Sequence, residues 1–552
     1  MDGLSPSKRT PTGFFYNALS VSISSLSLRF VGMIFNVYLS NRAGAQAMGL
    51  LSLVYSAWGF ALTAGCAGGS LASSRLCAEC LSTKKNIVSV SKKCLLYSLL
   101  CGISVGGLLL LSASFIGKTV LGDSRTVLPL RILALSLPFI SMSSSLSGYF
   151  SACMRTYKNA LVQLTEQFFR IVITVALFTS ASPSGAKSAC VCIVCGGALA
   201  EILSFLMLYI IFIFDRRKNR FGEDEPKNTF RSIAEITVPI AFSASLRSAL
   251  VSIEHVLVPR GLIKHGLSSE GALSLFGTVH GMALPVILFC HAIPSSFSSL
   301  LVPRFAEYNA AKNKKEVLYV ASRAYRASLC FALGISAFLT LSGHLLGNAL
   351  YPDTETGRYI YLLAPLIPIM YVDSVSDALL KGVGEQLSSM KINIIDALIS
   401  LSAVFLLVPK AGIWGYIFAI YVSELFNTCA SLYRVNKILG FTLPSFRYII
   451  LPLACAVTAS KATYISYRYL SWLSCGFLVG IGAVLFLLLY ITILKITKTV
   501  NKEESDWIKK VVFAGKSKKQ LTKSIDCAII NDRNDKKEGY VNEQDKQKCF
   551  HT

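Results

Sequence analysis

The residues best equipped for chemistry in this chain lie where only hydrocarbon would be expected. Arg247, Glu254 and His255 fall inside IAEITVPIAFSASLRSALVSIEHVLVP, residues 233–259, a stretch long and apolar enough to cross a bilayer. A charge at mid-membrane costs about 3 kcal/mol on insertion scales, so such residues face a bundle interior or a wet cavity. The stretch also has a partner. Sliding residues 17–42, NALSVSISSLSLRFVGMIFNVYLSNR, by 218 positions lays Ser25, Leu28, Arg29 and Arg42 on Ser243, Leu246, Arg247 and Arg260. Positions four and seven apart share a helix face. Ser25, Arg29 and Asn36 therefore form one polar stripe, and Ser243, Arg247 and Glu254 form its copy. Two guanidinium groups, one from each half, can grip a phosphate bidentately, which makes an anionic head group the natural ligand. The plainer alternative is that each arginine is neutralised by a carboxylate on a neighbouring helix.

Other charged positions invite simpler readings. Glu166 and Arg170 stand four apart in QLTEQFFRI, the spacing of an ion pair that cancels its own charge and serves structure. Asp377 and Lys381 have the same spacing, whereas Asp373 lies deeper and can take up a proton or Na⁺. Glu254 and His255 are further ion-coupling candidates, because histidine titrates near neutrality. His280 and His291 are too far apart for a metal pair on one helix. Cys77 and Cys80 make a lone CxxC in an expected cytoplasmic loop, without the second ligand pair that a structural zinc site needs. No metal or other cofactor is expected. There is no GxxxxGK[ST] phosphate loop, no HExxH and no large soluble domain, so the chain is read as moving a substrate without enzymatic bond breaking.

The elements that must hold these residues are read from composition. Of 552 residues 53% are hydrophobic and 15% charged, mean hydropathy is +0.56, and apolar runs of about 20 residues recur from end to end. The expectation is an all-α polytopic membrane protein. Fourteen spans are predicted at 14–40, 46–66, 94–117, 128–153, 160–181, 187–214, 233–258, 273–301, 324–350, 358–381, 390–409, 412–433, 447–467 and 472–495. The net charge of +24 would suggest nucleic acid in a soluble protein. Here the charge gathers in alternate loops, such as Arg216 to Arg231 and Arg304 to Arg323, with no aromatic-interleaved basic groove. The positive-inside rule places those loops and both termini in the cytoplasm. The sixteen cysteines are scattered, as small hydrophobes are, with no disulfide framework.

A second, weaker set of matches at an offset of 230 lays Leu137-Pro138 on Ile367-Pro368 and Glu166 on Asp396. Six-helix lobes at 1–220 and 221–440 follow, as parallel copies joined by the basic linker Asp215 to Ser232. Two further helices occupy 441–495, and a basic, mostly disordered cytoplasmic tail runs over 496–552. Within that tail, residues 505–515 could lie on an anionic leaflet as an amphipathic helix.

GYFSACMRTYKNALVQLTEQFFRI, with Gln163, Glu166, Gln167 and Arg170, resembles the fourth-to-fifth helix signature of the stage V sporulation protein B group. Residues 253–289 and the following SSLLVPRFAE resemble its seventh-to-eighth helix region. The likeness covers residues 14–495 and implies membership of the multidrug/oligosaccharidyl-lipid/polysaccharide exporter superfamily, with lipid II flippases and MATE drug exporters as relatives. It implies alternating access around a central cavity and export of undecaprenyl-diphosphate-linked sugars, including peptidoglycan precursors, across the bacterial cytoplasmic membrane. It further implies a groove for the polyprenyl tail on the last two helices. Arg29 matches the basic residue of the first helix in these flippases, but Asn36 stands where relatives often have a second arginine. Coupling to H⁺, Na⁺ or the membrane potential is expected, with a lipid-linked sugar and membrane lipids as partners and a monomer as the default. Two rival readings are a cation-coupled MATE-type multidrug exporter using Glu254 or Asp373, and a non-transporting membrane scaffold for envelope synthesis.

Overall fold

The computed structural model describes residues 11–66, 68–83, 85–183, 185–216, 229–351, 354–441, 447–469 and 474–497, with side chains described from residue 27 onward except at 292–297, 299, 300, 303, 354, 447, 448 and 468. Most of the basic linker and nearly all of the tail, including 505–515, lie outside these residues. Among the described residues the fold is helical throughout, without strands, and residues Ser20–Thr499 form one compact unit.

In chain order the helices are α1 (Pro11–Cys66), α2 (Gly69–Ser82), α3 (Ile87–Phe115), α4 (Val127–Ala152), α5 (Thr156–Ala181), α6 (Ala186–Arg216), α7 (Thr229–Lys264), α8 (Ser269–Phe276), α9 (Leu284–Ala310), α10 (Lys314–Leu350), α11 (Thr354–Leu363), α12 (Ile367–Gly382), α13 (Gln386–Ala411), α14 (Ile413–Leu439), α15 (Arg447–Tyr469) and α16 (Cys475–Ile496). Twelve described helical stretches are long and apolar enough to cross a membrane. All fourteen expected spans fall on helix, two of them as the legs of α1. The legs meet at Gly44, whose φ of 80° is open to glycine and costly for other residues.

A second left-handed glycine, Gly68 at φ 81°, separates α1 from α2. Arg75, Cys77 and Cys80 are therefore on a helix and not in the expected loop. Arg75 pairs with Glu79, and both cysteines are buried. Asn86 ends the short break that follows by accepting from Ser89 N–H, an N-cap that starts α3.

Helix α4 packs on α2, α3 and α6, α2 on α3, and α5 on α6. Gly102 and Gly106 let α3 approach the backbone of α4 at Pro138 and Ala134, where a Cβ would sit 2.7 Å and 2.8 Å from main-chain atoms. In the second set, α7 packs on α13, α13 on α14, and α12 on α9, α10 and α14. Helices α15 and α16 pack on each other and on α10. Chain direction gives two faces, a near face where α6 ends and α7 begins and a far face carrying the Gly44 turn.

At the far face the two sets close on each other. A Cβ on Gly277 would lie 2.1 Å from the Ala45 carbonyl oxygen, and one on Gly49 would lie 2.1 Å from that of Leu273, so only glycine permits this approach. Gly277 opens a π-helical turn, Gly277–Ala283, between α8 and α9. A second such turn, Ile116–Val120, presents the carbonyls of Thr119 and Val120 to the Arg260 guanidinium at 2.5 and 2.6 Å. Asn41 Nδ2 also donates across the gap to Leu350 O at 2.9 Å.

At the near face each set holds its own clasp. Asp215, buried at the end of α6, receives Arg155 Nη1 at 2.5 Å, Lys158 Nζ, and Tyr149 O–H at 3.2 Å. In the second set the signs are exchanged, because Arg434 on α14 donates to Glu385, between α12 and α13, at 2.7 Å.

Candidate functional site

In the first set the charged residues converge where α5 and α6 pack. One turn of α5 separates Glu166 from Arg170, whose Nη2 donates to Glu166 Oε1 at 2.7 Å and to Glu201 Oε1 of α6 at 3.0 Å. Ser204, one turn along from Glu201, donates to Glu166 Oε2 at 3.1 Å. The expected self-cancelling pair is thus a triad of two acids and one base.

Arg29 and Asn36 stand on the first leg of α1. Arg29 is exposed and makes no ion pair among the described residues; its charge is felt at His291 of α9. Phe30 beside it packs against Phe289, at 6.0 Å between ring centroids. Asn36 Oδ1 is buried without a hydrogen-bond partner. The side chain of Ser25 lies outside the described residues.

In the second set Arg247 of α7 is also exposed and without an ion pair among the described residues. It lies within electrostatic reach of three carboxylates, Asp373 of α12, Asp396 of α13 and Glu424 of α14. Asp396 accepts from Ser423 at 2.5 Å. Asp373 Oδ2 accepts from Asn427 at 3.3 Å, while its Oδ1 is buried without a partner.

Of the other stripe residues, Glu254 accepts from Ser400 Oγ of α13 at 2.8 Å, and Ser243 donates to the Pro239 carbonyl of its own helix at 2.8 Å. Ser243 therefore serves its own backbone. His255 turns to His280, with ring centroids 4.3 Å apart, and its Nδ1 has no partner. His291 Nε2 instead meets Ser374 Oγ at 2.5 Å. Among the described residues no group of three His, Cys, Asp or Glu side chains is arranged to hold a metal ion.

The arrangement offers two exposed guanidinium groups, suited to an anion, and a carboxylate basket around one of them, suited to a proton or small cation. Glu201 and Glu424 were not singled out from sequence. The available signal was a lone carboxylate within each apolar run, ALAEILSF and YVSELFN, since an intramembrane acid is a functional candidate by default.

Residues 14–265 match the family described as Polysaccharide biosynthesis protein, and residues 277–406 match MatE. The chain is 23% identical over 508 residues to Stage V sporulation protein B of Bacillus subtilis (strain 168), covering 89% of this chain and 96% of that protein. It is likewise 23% identical over 477 residues to the uncharacterized membrane protein YabM of the same strain, covering 82% and 85%. Among solved structures, the lipid II flippase MurJ in an inward closed conformation superposes with a TM-score of 0.66 at 14% identity, over 86% of this chain and 98% of that one. An inward-facing MATE family multidrug resistance transporter of the MOP superfamily gives 0.59 at 14% identity, over 76% and 98%. At this identity the structures speak for a shared fold, that of multi-pass membrane transporters.

Proposed function

From the premise that the chain belongs to the MOP exporter superfamily, alongside the polysaccharide-biosynthesis and MATE branches, we propose that it is a flippase for an undecaprenyl-diphosphate-linked oligosaccharide. A peptidoglycan precursor or related polysaccharide unit is the cargo, and the bacterial cytoplasmic membrane is the site, with both termini in the cytoplasm. The observation that carries this reading is the pair of exposed guanidinium groups, Arg29 and Arg247, on two membrane helices without a salt-bridge partner among the described residues. Each is free to bind a diphosphate oxygen.

In this reading residues 1–220 and 221–440 rock about the cargo. The far face, closed by Arg260 and the glycine contacts, opens toward the outer leaflet. Asp373 and Glu254 are the positions for H⁺ or Na⁺ coupling, and the membrane potential supplies about 2.3 kcal/mol per elementary charge per 100 mV. The test is rescue of outer-leaflet precursor exposure in cells depleted of their own lipid II flippase, at matched membrane levels. Wild type is expected to rescue, and Arg29→Ala or Arg247→Ala to reduce export about ten- to hundredfold, the loss of one charge-assisted contact. Rescue by both variants would remove the arginine site.

A cation-coupled drug exporter is the second reading, favoured by the three carboxylates around Arg247. It requires efflux of an organic cation that is lost in Asp373→Asn and unaffected by Arg29→Ala.

A further inference from the structure

The triad of the first set is not balanced. Arg170 carries one positive charge, whereas Glu166 and Glu201 carry two negative charges if both are ionised, and all three lie within spans read as membrane-crossing. Both acids take their contact from the same guanidinium nitrogen, Nη2, and Nε of Arg170 is buried without a hydrogen-bond partner. The acids are not spread over the fork as two independent carboxylates would be. They crowd to one side of it, at 2.7 and 3.0 Å from the one nitrogen.

A carboxylate has no donor, so two carboxyl groups crowded onto one nitrogen can bond each other only when one of them carries a hydrogen. We infer that Glu166 and Glu201 form a proton-binding site, holding one shared proton that brings the triad to neutrality. The ligand is a proton and not a metal cation, because Arg170 occupies the place a cation would take between the two acids. Like charges held this close disfavour double ionisation, and an unpaired charge in the bilayer would be costly. Ser204, donating to Glu166 Oε2, marks Glu166 as the better acceptor and leaves Glu201 to carry the hydrogen.

The other titratable groups in electrostatic contact are few. Tyr55 from α1 senses Arg170 and Glu201, and Cys66 at the end of α1 senses Glu201. On α6, Cys190 reaches Tyr55. None of them adds a second positive charge, so among these groups a proton is what balances the second acid.

The test needs no substrate and stands apart from the transport assay. The full-length protein in lipid nanodiscs is titrated while the carboxylic C=O stretch is followed by infrared difference spectroscopy, for wild type, Glu201→Gln and Glu166→Gln. The expected result is one protonated carboxyl per chain at neutral pH in wild type that is absent from both variants, with helix content unchanged. Glu254, Asp373, Asp396 and Glu424 contribute equally to all three samples and cancel in the difference. An identical carboxylic band in wild type and in whichever variant folds would overturn the inference. So would loss of the band in Glu201→Gln but not in Glu166→Gln, since a shared proton needs both groups.

Discussion

The two helical sets place acids at corresponding positions and treat them differently. Glu166 and Glu201 on α5 and α6 have Asp396 and Glu424 on α13 and α14 as counterparts, at offsets of 230 and 223. In the first set Arg170 comes from the same helix as Glu166 and is locked to both acids. In the second set the residue 230 positions after Arg170 is Ser400, which donates to Glu254. The positive charge there comes from Arg247 on α7, exposed and at a distance. One set thus carries a closed electrostatic unit and the other an open one. A duplicated framework can keep its acids and change only the source of the neutralising charge, and the open copy is the one fitted to meet a ligand.

The sharpest way to break this comparison is to remove each positive charge in turn. Arg170→Ala leaves a half-buried acid within the span uncompensated and should destabilise the protein by about 3 kcal/mol. The drop should be read as the loss of monodisperse protein on heating in detergent. Arg247→Ala should leave that curve nearly unchanged while impairing transport. If the two variants melt alike, the closed and open description is wrong.

The near-face clasps give a second, smaller contrast. Asp215 is buried under two cations, and Asp215→Ala should cost about 2–3 kcal/mol by leaving Arg155 and Lys158 without a partner. Glu385→Ala, at an exposed clasp, should leave the melting temperature almost unmoved. Because the clasps are built with opposite sign, exchanging the second pair as Glu385→Arg with Arg434→Glu should recover whatever either single exchange loses. A melting-temperature cycle over the four proteins measures that coupling.

The smallest effect is a response to acid. The Ser388 hydroxyl and the Arg434 guanidinium hold the Glu385 carboxyl below the usual carboxylate range. A depressed folded value means that its contribution is present above the unfolded carboxylate pKa, about 4.3, and is lost as pH falls through the folded value. Glu385→Gln should flatten that part of the acid-stability curve, and a curve identical to wild type would show that the clasp carries no linkage.

Much of the architecture was legible in the sequence, because bilayer thickness fixes the length of an apolar run and charge fixes its ends. Fourteen runs became helices for that reason. The break at Gly68 was not legible: α2 continues past the apolar segment on polar residues whose burial depends on α4. The arginine stripes were visible as a periodicity of four and seven. What faced them was not, since Asp396 and Glu424 come within electrostatic reach of Arg247 from helices far apart in the chain. Glu166 and Arg170 were read as self-sufficient because local spacing cannot report a third residue, Glu201, that arrives from the next helix.

The last two helices are fastened to the bundle by two tyrosines. Tyr490 lays its ring over Gly334 of α10 and donates to Cys330 O at 2.7 Å. Tyr467 packs its ring on Gly482 of α16 and meets Ser342 of α10 at 3.1 Å. Both fastenings address a single helix, so the hairpin travels wherever α10 goes, as an outrigger follows its hull.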